Sequence, residues 1–293
     1  MIYTIENDKI RVSVEDKGAQ LHSIYGKTTD FEYLYQGKKG FWVGRSPILF
    51  PICGKLRNGV CTYKGNVYSI PLHGFAKSKI FKVTKHTKTK LVFTITEDKK
   101  TLKQYPFNFK LDVIYTIKGA KVSMQMNVTN TGDQTLPFSI GGHPGFNIPL
   151  EKGVRFHDHY LQFSRKTDVE SLIYTPQVCY TGKNAPYKLY KGKILKLNHK
   201  LFTVDGVFLA NMSDTVTLKS DKAKRFVKVK APKATHFGFW HDPRRYAPYI
   251  CIEPWRGVFA LDGVTEDLET KLEMNFLEAG QTFNYPIYMQ FGE

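Results

Sequence analysis

The sequence predicts an all-β fold, either a large antiparallel sandwich or a barrel. Three observations lead to it: apolar residues recur at every second position in many short runs, turn-forming residues separate those runs, and long helical periodicity is nearly absent. The 293 residues are 42% hydrophobic and 14% aromatic, which is enough for a sizeable core. Because no repeat, linker or change of composition divides the chain, we expect one domain over residues 1–293.

The clearest strands alternate strictly between apolar and polar side chains. In VSMQMNV the apolar residues from Val122 to Val128 share one face, and in FKLDVIYTI those from Phe109 to Ile117 do the same. The segments KLVFTIT, FVKVK, LEMNF and FNYPIYMQF follow the same pattern. Turn signals such as NTGD, YKGN, TIKGAK and EAGQ lie between these runs. Residues 151–200 are the least regular part, and we expect them to form a long excursion over the sheets.

The formal net charge of +17 arises from 43 lysines and arginines against 26 acidic residues. A solvated, lysine-rich surface is the simplest explanation. Because the basic residues are scattered from end to end rather than collected in one block, we expect no nucleic-acid partner. Steering of an anionic substrate such as a sugar phosphate is the other hypothesis that this charge supports.

The four cysteines indicate buried free thiols rather than disulfides or a metal site. Cys53, Cys61, Cys179 and Cys251 are far apart, and no CxxC pair occurs. The N-terminal residues MIYTIENDKI have neither the basic start nor the apolar segment of a signal peptide. No run approaches the roughly 18 apolar residues of a membrane-spanning helix. We therefore expect a cytoplasmic protein with no membrane partner, and the sequence leaves its oligomeric state open.

Catalysis in this chain must come from scattered polar residues, because the familiar cofactor and nucleophile motifs are absent. There is no P-loop, no dinucleotide-binding glycine pattern, no GxSxG and no HExxH. The HDH segment at 157–159 lacks a third ligand at a suitable spacing, so we expect no metal.

Three of the nine histidines have distinctive surroundings: His73 in PLHGF, His143 in GGHPGF and His241 in WHDPRRY. Glycine beside a histidine permits unusual backbone angles and close approach of a ligand. Proline after a histidine favours an extended backbone. A histidine in such a setting is either directed at a ligand or held by a structural hydrogen bond, and its recurrence favours the first interpretation.

Glu253 lies in YICIEPW, where an apolar strand is expected to end. A glutamate among apolar and aromatic neighbours is costly as an anion, so burial raises its pKa toward the range of a general base. The competing interpretation is a glutamate that caps the strand end in water. Nearby aromatic residues suit the apolar face of a sugar; they are Phe75, Phe146, Trp240 and Trp255. Together these groups indicate acid–base chemistry on a polyhydroxylated ligand.

Four segments in order along the chain resemble the aldose 1-epimerase (galactose mutarotase) superfamily, and most closely its compact LacX-like branch. They are GRSPILFPICGKLRNGVCTYKGNVYSIPLHGFAKS, GGHPGFNIP, DGVFL and CIEPWRG. The resemblance implies a large antiparallel β-supersandwich of the galactose mutarotase-like type, with the site in a cleft on one sheet. It also implies an enzyme without a metal or other cofactor, acting on a sugar.

The resemblance assigns a role to each matched residue. His143 matches the general acid, Glu253 the general base, and His73 a second histidine near the ring oxygen. Asp205 matches an aspartate that binds sugar hydroxyls. The substrate-binding arginine of the family belongs in GKLRNG, where Lys55 occupies the aligned position and Arg57 follows two residues later. Arg45 is a third candidate for that contact.

The implied reaction interconverts α and β anomers of a hexose or a hexose phosphate through ring opening. For a phosphate, Arg244, Arg245 and Arg256 are candidate ligands. We expect the pKa of Glu253 to stay near or modestly above about 4.3, because Arg256 or a protonated histidine opposes the effect of burial. The rate should then fall at low pH as Glu253 is protonated, and at high pH as His143 loses its proton. A non-catalytic sugar-binding or regulatory protein on the same fold is the alternative.

Overall fold

The computed structural model describes residues 1–203 and 205–293, and it confirms the all-β prediction. In chain order the strands are β1 (Ile2–Glu6), β2 (Ile10–Glu15), β3 (Gln20–Gly26), β4 (Phe31–Glu32), β5 (Ile48–Leu49), β6 (Val60–Tyr63), β7 (Asn66–Ser69), β8 (Lys82–His86), β9 (Lys90–Thr96), β10 (Phe109–Lys118), β11 (Lys121–Asn130), β12 (Leu136–Phe138), β13 (Ile140–Gly142), β14 (Gly145–Asn147), β15 (His159–Phe163), β16 (Glu170–Tyr174), β17 (Tyr180–Pro186), β18 (Ile194–Lys196), β19 (Val207–Ala210), β20 (Thr215–Ser220), β21 (Phe226–Lys230), β22 (His236–Trp240), β23 (Tyr249–Arg256), β24 (Asn275–Leu277) and β25 (Thr282–Gly292).

Helical structure is confined to short segments. The α-helix α1 spans Lys99–Leu102, and the 3-10 turns span Arg57–Gly59, Ala76–Ser78, Phe156–Asp158 and His199–Phe202. The Asp98 side chain begins α1 by accepting hydrogen bonds from the backbone N–H groups of Lys100 and Thr101. Among the described residues, no helix has both the length and the apolar character needed to cross a membrane.

Two large antiparallel sheets dominate the architecture. One has nine strands in the order β18-β15-β20-β21-β25-β11-β10-β9-β8. The other has the order β17-β16-β19-β22-β23-β13-β5, and β14 also pairs with β23. Smaller sheets are formed by β1-β2-β3-β4, by β12-β24 and by β6-β7. This arrangement agrees with the predicted β-supersandwich.

The two large sheets share one hydrophobic core, but they use their second faces differently. In the nine-stranded sheet the alternation along β10 and β11 leaves the outer face half-exposed and polar, as the sequence predicted. In the sheet that contains β23, Ile250 and Ile252 face the shared core with Met124 and Ile287. Its second face is also buried, because aromatic residues and loops cover it. That second face carries the candidate active site.

The cysteine prediction is confirmed, since all four are buried and free. The expectation for residues 151–200 is only partly right, because this segment forms strands as well as loops. Strands β15 and β18 extend the nine-stranded sheet, and β16 and β17 extend the other one. They lie at or near sheet edges, where β17 is largely exposed. Exposed edges do not require the apolar alternation that identifies inner strands.

Gly74 is expected to be the glycine that tolerates alanine least. Its φ is +72°, and an added Cβ would meet the Phe50 carbonyl oxygen at 2.1 Å. Gly65 has a similar φ of +75° with no atom within 4 Å of that position, so Gly65→Ala isolates the cost of the backbone angle. We expect a loss of about 1 kcal/mol for Gly65→Ala and about 3 kcal/mol for Gly74→Ala, measured by urea unfolding. Equal losses would show that the approach of Phe50 does not matter.

Candidate active site

Strand β23 carries Glu253 on the second face of its sheet. Side chains alternate along the strand, so Cys251, Glu253 and Trp255 share the face opposite to Ile250 and Ile252. The whole strand is buried apart from Arg256, and Glu253 is only 1% exposed. Because both faces of β23 are buried, YICIEPW shows no alternation between apolar and polar residues. The solvent-capping interpretation of Glu253 is therefore wrong.

The backbone around His143 is fixed by hydrogen bonds to both neighbouring strands. The His143 N–H donates to the Pro47 carbonyl at 3.1 Å, and the Ile252 N–H donates to the Pro144 carbonyl at 3.1 Å. Strands β13 and β14 on either side both pair with β23. His143 is therefore held directly beside the strand that carries Glu253.

The glycines of GGHPGF act through close packing, which corrects the expectation of unusual backbone angles. Gly141 and Gly142 do not have positive φ. An added Cβ on Gly141 would lie 3.0 Å from both the Pro254 oxygen and Trp255 Cδ1. On Gly142 it would lie 2.8 Å from Ile287 Cδ1 in the core. The missing side chains let β13 approach β23 and the opposite sheet.

His143 and Glu253 form the centre of the site. His143 Nε2 lies 3.1 Å from Glu253 Oε1, and their side chains are only 9% and 1% exposed. Within the described part of the chain, His143 Nδ1 and Glu253 Oε1 have no partner of hydrogen-bond geometry. Buried polar atoms without partners are rare in proteins, and a ligand is one explanation of them. The rings of Trp42 and Trp240 lie 5.0 and 5.7 Å from the His143 ring.

Burial shifts the two groups of this pair in opposite directions. It raises the pKa of Glu253 well above its usual value, and the nearby Asp205 carboxylate adds to the rise while Trp255 partly opposes it. Burial lowers the pKa of His143 to about 3. In the ligand-free protein burial thus favours the uncharged form of each group, a carboxylic acid at Glu253 and a neutral imidazole at His143.

The sequence-based expectation of a nearly normal pKa for Glu253 is wrong. It relied on Arg256 or a protonated histidine as a counter-charge. The Arg256 guanidinium instead donates to Asn275 Oδ1, and it lies over the Phe283 ring. His143 is itself neutral because it is buried. No cationic group therefore offsets the effect of desolvation on the pKa of Glu253.

His73 is positioned as a hydrogen-bond donor. Its φ of +61° is unusual for a residue with a side chain, and its ring lies 5.5 Å from the rings of both His143 and Trp255. The Gly54 N–H donates to His73 Nδ1 at 3.1 Å. Burial lowers the pKa of His73 well below its usual value, so the ring is neutral with its proton on Nε2.

Asp205 and Lys55 lie on the same side of the site as Glu253. Burial raises the pKa of Asp205, and the positive charge of Lys55 is close enough to lower it in part. Strand β19, which follows Asp205, is separated from β23 only by β22. Lys55 is half-buried, whereas Arg57 is exposed at the start of its 3-10 turn. The structure thus brings Lys55, rather than Arg57, to the aspartate.

We expect activity to depend on Lys55 more than on Arg57. Lys55→Ala removes the charge beside Asp205, and KM should rise about tenfold, as for a lost hydrogen bond to a charged group. Arg57→Ala in the same turn is the matched control, and KM should change less than twofold. Steady-state kinetics of both variants provide the measurement. A larger effect at Arg57 would show that the exposed residue reaches the substrate.

Three further predicted contacts differ in their placement. Arg45 donates to the His22 carbonyl and to Gln36 Oε1, so its guanidinium is held beside strand β3. Phe146 is fully buried in the shared core, because alternation along β14 points it away from the site. The position of Phe146 does not agree with sugar contact, whereas a role of Arg45 stays a prediction. Trp255 does share the face of Glu253, although it is 1% exposed.

Sequence reasoning missed Trp42 and did not connect Cys251 with the site. Trp42 lies in an irregular loop among glycine and lysine residues, and an aromatic residue without apolar alternation was the only signal of its role. Cys251 reaches the acid–base pair: possible ligand atoms of His143, Cys251 and Glu253 all lie within 4.8 Å of one another. Burial raises the pKa of the Cys251 thiol well above its usual value, which opposes metal binding through a thiolate.

An antiparallel β-supersandwich with a buried histidine–glutamate pair defines a class of protein. Comparisons with known sequences and structures identify that class. The family described as aldose 1-epimerase matches residues 1–269, and the chain belongs to that family. The plasmid-encoded LacX protein of Lactococcus lactis subsp. lactis is 33% identical over 270 residues, which cover 88% of each chain.

Two solved structures share the whole architecture. A galactose mutarotase related enzyme from Lactobacillus acidophilus is 33% identical with a TM-score of 0.95, over 100% of this chain and 98% of that one. A galactose mutarotase-like protein from Lactobacillus casei ATCC 334 is 28% identical with a TM-score of 0.95, over 100% of both chains. The predicted family and fold are therefore confirmed.

Proposed function

We propose that this protein is an aldose 1-epimerase that interconverts the α and β anomers of a hexose through ring opening. One observation carries the proposal: His143 Nε2 and Glu253 Oε1 lie 3.1 Å apart at a buried site. The ring oxygen and the anomeric hydroxyl of an aldose are bonded to the same carbon, C1. An acid and a base that serve these two oxygens must therefore be close neighbours.

The reaction moves two protons and returns both. Glu253, as a carboxylate, accepts the proton of the C1 hydroxyl while His143, as an imidazolium, donates a proton to the ring oxygen. The bond between C1 and the ring oxygen breaks and leaves an open-chain aldehyde. After rotation about C1–C2, the hydroxyl formed from the ring oxygen attacks the other face of C1. His143 then recovers its proton, and Glu253 gives its proton to the new anomeric oxygen.

The reactive arrangement is a proton tautomer of the ligand-free pair. A carboxylic acid beside a neutral imidazole carries one proton in total, and so does a carboxylate beside an imidazolium. Oε1 and Nε2 lie 3.1 Å apart without hydrogen-bond alignment, so a small reorientation of the side chains when sugar binds would let the proton pass between them without exchange with solvent. A sugar that fills the site with hydroxyl groups favours the charged tautomer, because it supplies the hydrogen bonds that the pair lacks.

The surrounding residues fit a sugar in other ways. The Nε2–H of His73 can donate a hydrogen bond to a ring or hydroxyl oxygen. For the sugar hydroxyls, the Asp205 carboxylate is an acceptor and the Lys55 ammonium is a donor. The rings of Trp42 and Trp240 provide apolar surface beside His143. Hydroxyl recognition by Lys55 is less directional than by an arginine, because an ammonium lacks the planar fork of a guanidinium.

A non-catalytic sugar-binding protein is the competing function. Binding alone gains nothing from a buried carboxyl and imidazole with opposed pKa shifts, and burial of such a carboxyl costs folding stability. The pair therefore favours catalysis.

Polarimetry decides between the two functions. Freshly dissolved single anomers of glucose, galactose and their 6-phosphates are followed with and without the protein. We expect at least one of these sugars to reach its anomeric equilibrium faster than it does spontaneously. Calorimetric binding of a sugar without any acceleration would support the non-catalytic function instead.

A further inference from the structure

A buried ion pair lies among residues to which the proposed reaction gives no role. Lys271 Nζ is 2.9 Å from Glu266 Oε2, and the two side chains are 0% and 3% exposed. In each other pair of a lysine or arginine with a carboxylate that the described residues form, at least one side chain is well exposed. Burying two charges costs free energy, and in some proteins such a pair specifies one arrangement of the chain. The contacts of this pair show which part of the chain it arranges.

The ion pair holds the backbone of residues 258–261, the backing segment, which follows β23. Its ammonium group donates to the carbonyls of Val258 and Phe259, at 3.2 and 3.3 Å. Its carboxylate accepts, through Oε1, from the Leu261 N–H at 3.2 Å. Hydrogen bonds to charged groups are stronger than those between neutral groups. The pair therefore fixes three of the four residues in the backing segment.

The backing segment packs against the turn that carries Lys55. The Ala260 N–H donates to the Lys55 carbonyl at 3.1 Å. The Phe259 ring lies against Gly54, because an added Cβ on that glycine would meet Phe259 Cδ1 at 2.6 Å. The backbone position of the turn therefore depends on the backing segment.

This turn determines the positions of two proposed sugar contacts. The side chain of Lys55 extends from it close enough to Asp205 to lower the pKa of that carboxyl in part. The Gly54 N–H donates to His73 Nδ1 at 3.1 Å, and the His73 N–H donates to the Gly54 carbonyl at 2.7 Å. These two bonds orient the His73 ring with its proton on Nε2. A shift of the turn would consequently move Lys55 and His73 together.

From these contacts we propose that Lys271 and Glu266 are positioning residues, whose ion pair places Lys55 and His73 in the sugar site through the backing segment. The proposal rests on the proposed function, because Lys55 and His73 are sugar contacts only there. These two contacts hold the sugar, whereas His143 and Glu253 transfer its protons. Loss of the ion pair should therefore raise KM and leave kcat nearly unchanged.

The decisive variant is Lys271→Met/Glu266→Gln, which removes both charges and keeps side chains of similar length. Lys271→Met alone leaves a buried carboxylate without a counter-charge, so its urea midpoint should fall, and the double variant should regain most of the loss. In the double variant we expect KM to rise about tenfold, as for one lost hydrogen bond to a charged group, with kcat within about twofold of wild type. Lys222→Met is the matched control, because it breaks an exposed ion pair with Asp158 and should keep the wild-type KM.

A double-mutant cycle with Lys55→Ala tests whether the effect passes through the turn. In the Lys55→Ala background, the double variant should raise KM by less than about threefold, because the contact that it displaces is already lost. A full tenfold rise in that background would overturn the proposal. A wild-type KM in a double variant of restored stability would also overturn it and would leave the ion pair a purely structural role.

Two further measurements separate this proposal from the proposed function. Calorimetric binding of glucose, galactose and their 6-phosphates reports on the sugar contacts without turnover. Weaker binding in the double variant, without acceleration of any sugar by the wild type, keeps the positioning role and overturns the epimerase function. NMR spectra of the ligand-free protein should show shifted signals of the Gly54 amide and the His73 imidazole in the double variant but not in Lys222→Met. Unshifted signals would overturn the positioning role whether or not a sugar binds.

Discussion

Replacing His143 with asparagine should lower kcat by about 10²- to 10⁴-fold, the usual contribution of a positioned general acid. Asparagine retains a polar side chain of similar reach but cannot carry the proton that the ring oxygen needs. Sugar binding should survive, because His73, Asp205 and Lys55 remain in place. The measurement combines polarimetric kcat with a calorimetric dissociation constant.

His86→Asn is the matched control for this substitution. His86 lies at the exposed end of β8, and its Nε2 contacts the Thr4 carbonyl, so the control should retain wild-type kcat. Unfolding curves of both variants should be two-state, which shows that neither effect comes from misfolding. If His143→Asn retains more than about a tenth of the wild-type kcat, His143 is not the general acid.

Replacing Glu253 with glutamine is the second substitution with a large expected effect, also about 10²- to 10⁴-fold in kcat. The amide keeps the shape of the carboxyl group but cannot accept the proton of the C1 hydroxyl. Glutamine also prevents the proton transfer that charges His143 within the pair. A rate close to wild type in this variant would place the base elsewhere and would contradict the mechanism.

The pH profile of kcat/KM provides a sharper test of the same pair. The pair is active while it holds one proton, so activity should fall at low pH when His143 takes up a second proton, with a pKa of about 3. It should fall at high pH when the last proton is lost, which follows the raised pKa of Glu253. This order is the reverse of the sequence-based expectation. Residual activity of Glu253→Gln should lack the high-pH decline of the wild type.

Glu253→Gln should also become more stable than the wild type as the pH rises. The unfolded carboxyl titrates near pH 4.3, whereas the folded one titrates well above it. Between these values the folded state binds more protons than the unfolded state, so wild-type stability falls with increasing pH. Below both pKa values the carboxyl is protonated in the folded and the unfolded state, so it causes no pH dependence of stability. Urea unfolding of the two proteins across this range measures the difference in stability. A constant difference in stability would contradict the raised pKa.

The sequence alone was sufficient for the fold class and for most of the residues that meet at the site. Alternation along β10 and β11 predicted half-buried strands, because the period of side chains in a strand is a local property of the backbone. The segments GGHPGF and CIEPWRG identified the two residues that the structure brings to 3.1 Å from each other. His73 and Asp205 followed from the same resemblance, and Lys55 was one of three open candidates.

Only the tertiary structure decided which face each side chain occupies and which charges surround it. Phe146 belongs to the core because the pairing of β14 with β23 fixes its direction, and the Arg45 side chain is held by the His22 carbonyl of β3; both partners are distant in sequence. The opposed pKa shifts of His143 and Glu253 result from desolvation by every neighbour in space, a quantity that no short motif contains. A cavity of 660 Å³ likewise joins Lys200, in the 3-10 turn His199–Phe202, to Arg245 in the loop before β23. Local periodicity is thus determined by adjacent residues, whereas burial and charge depend on contacts that exist only in the folded chain.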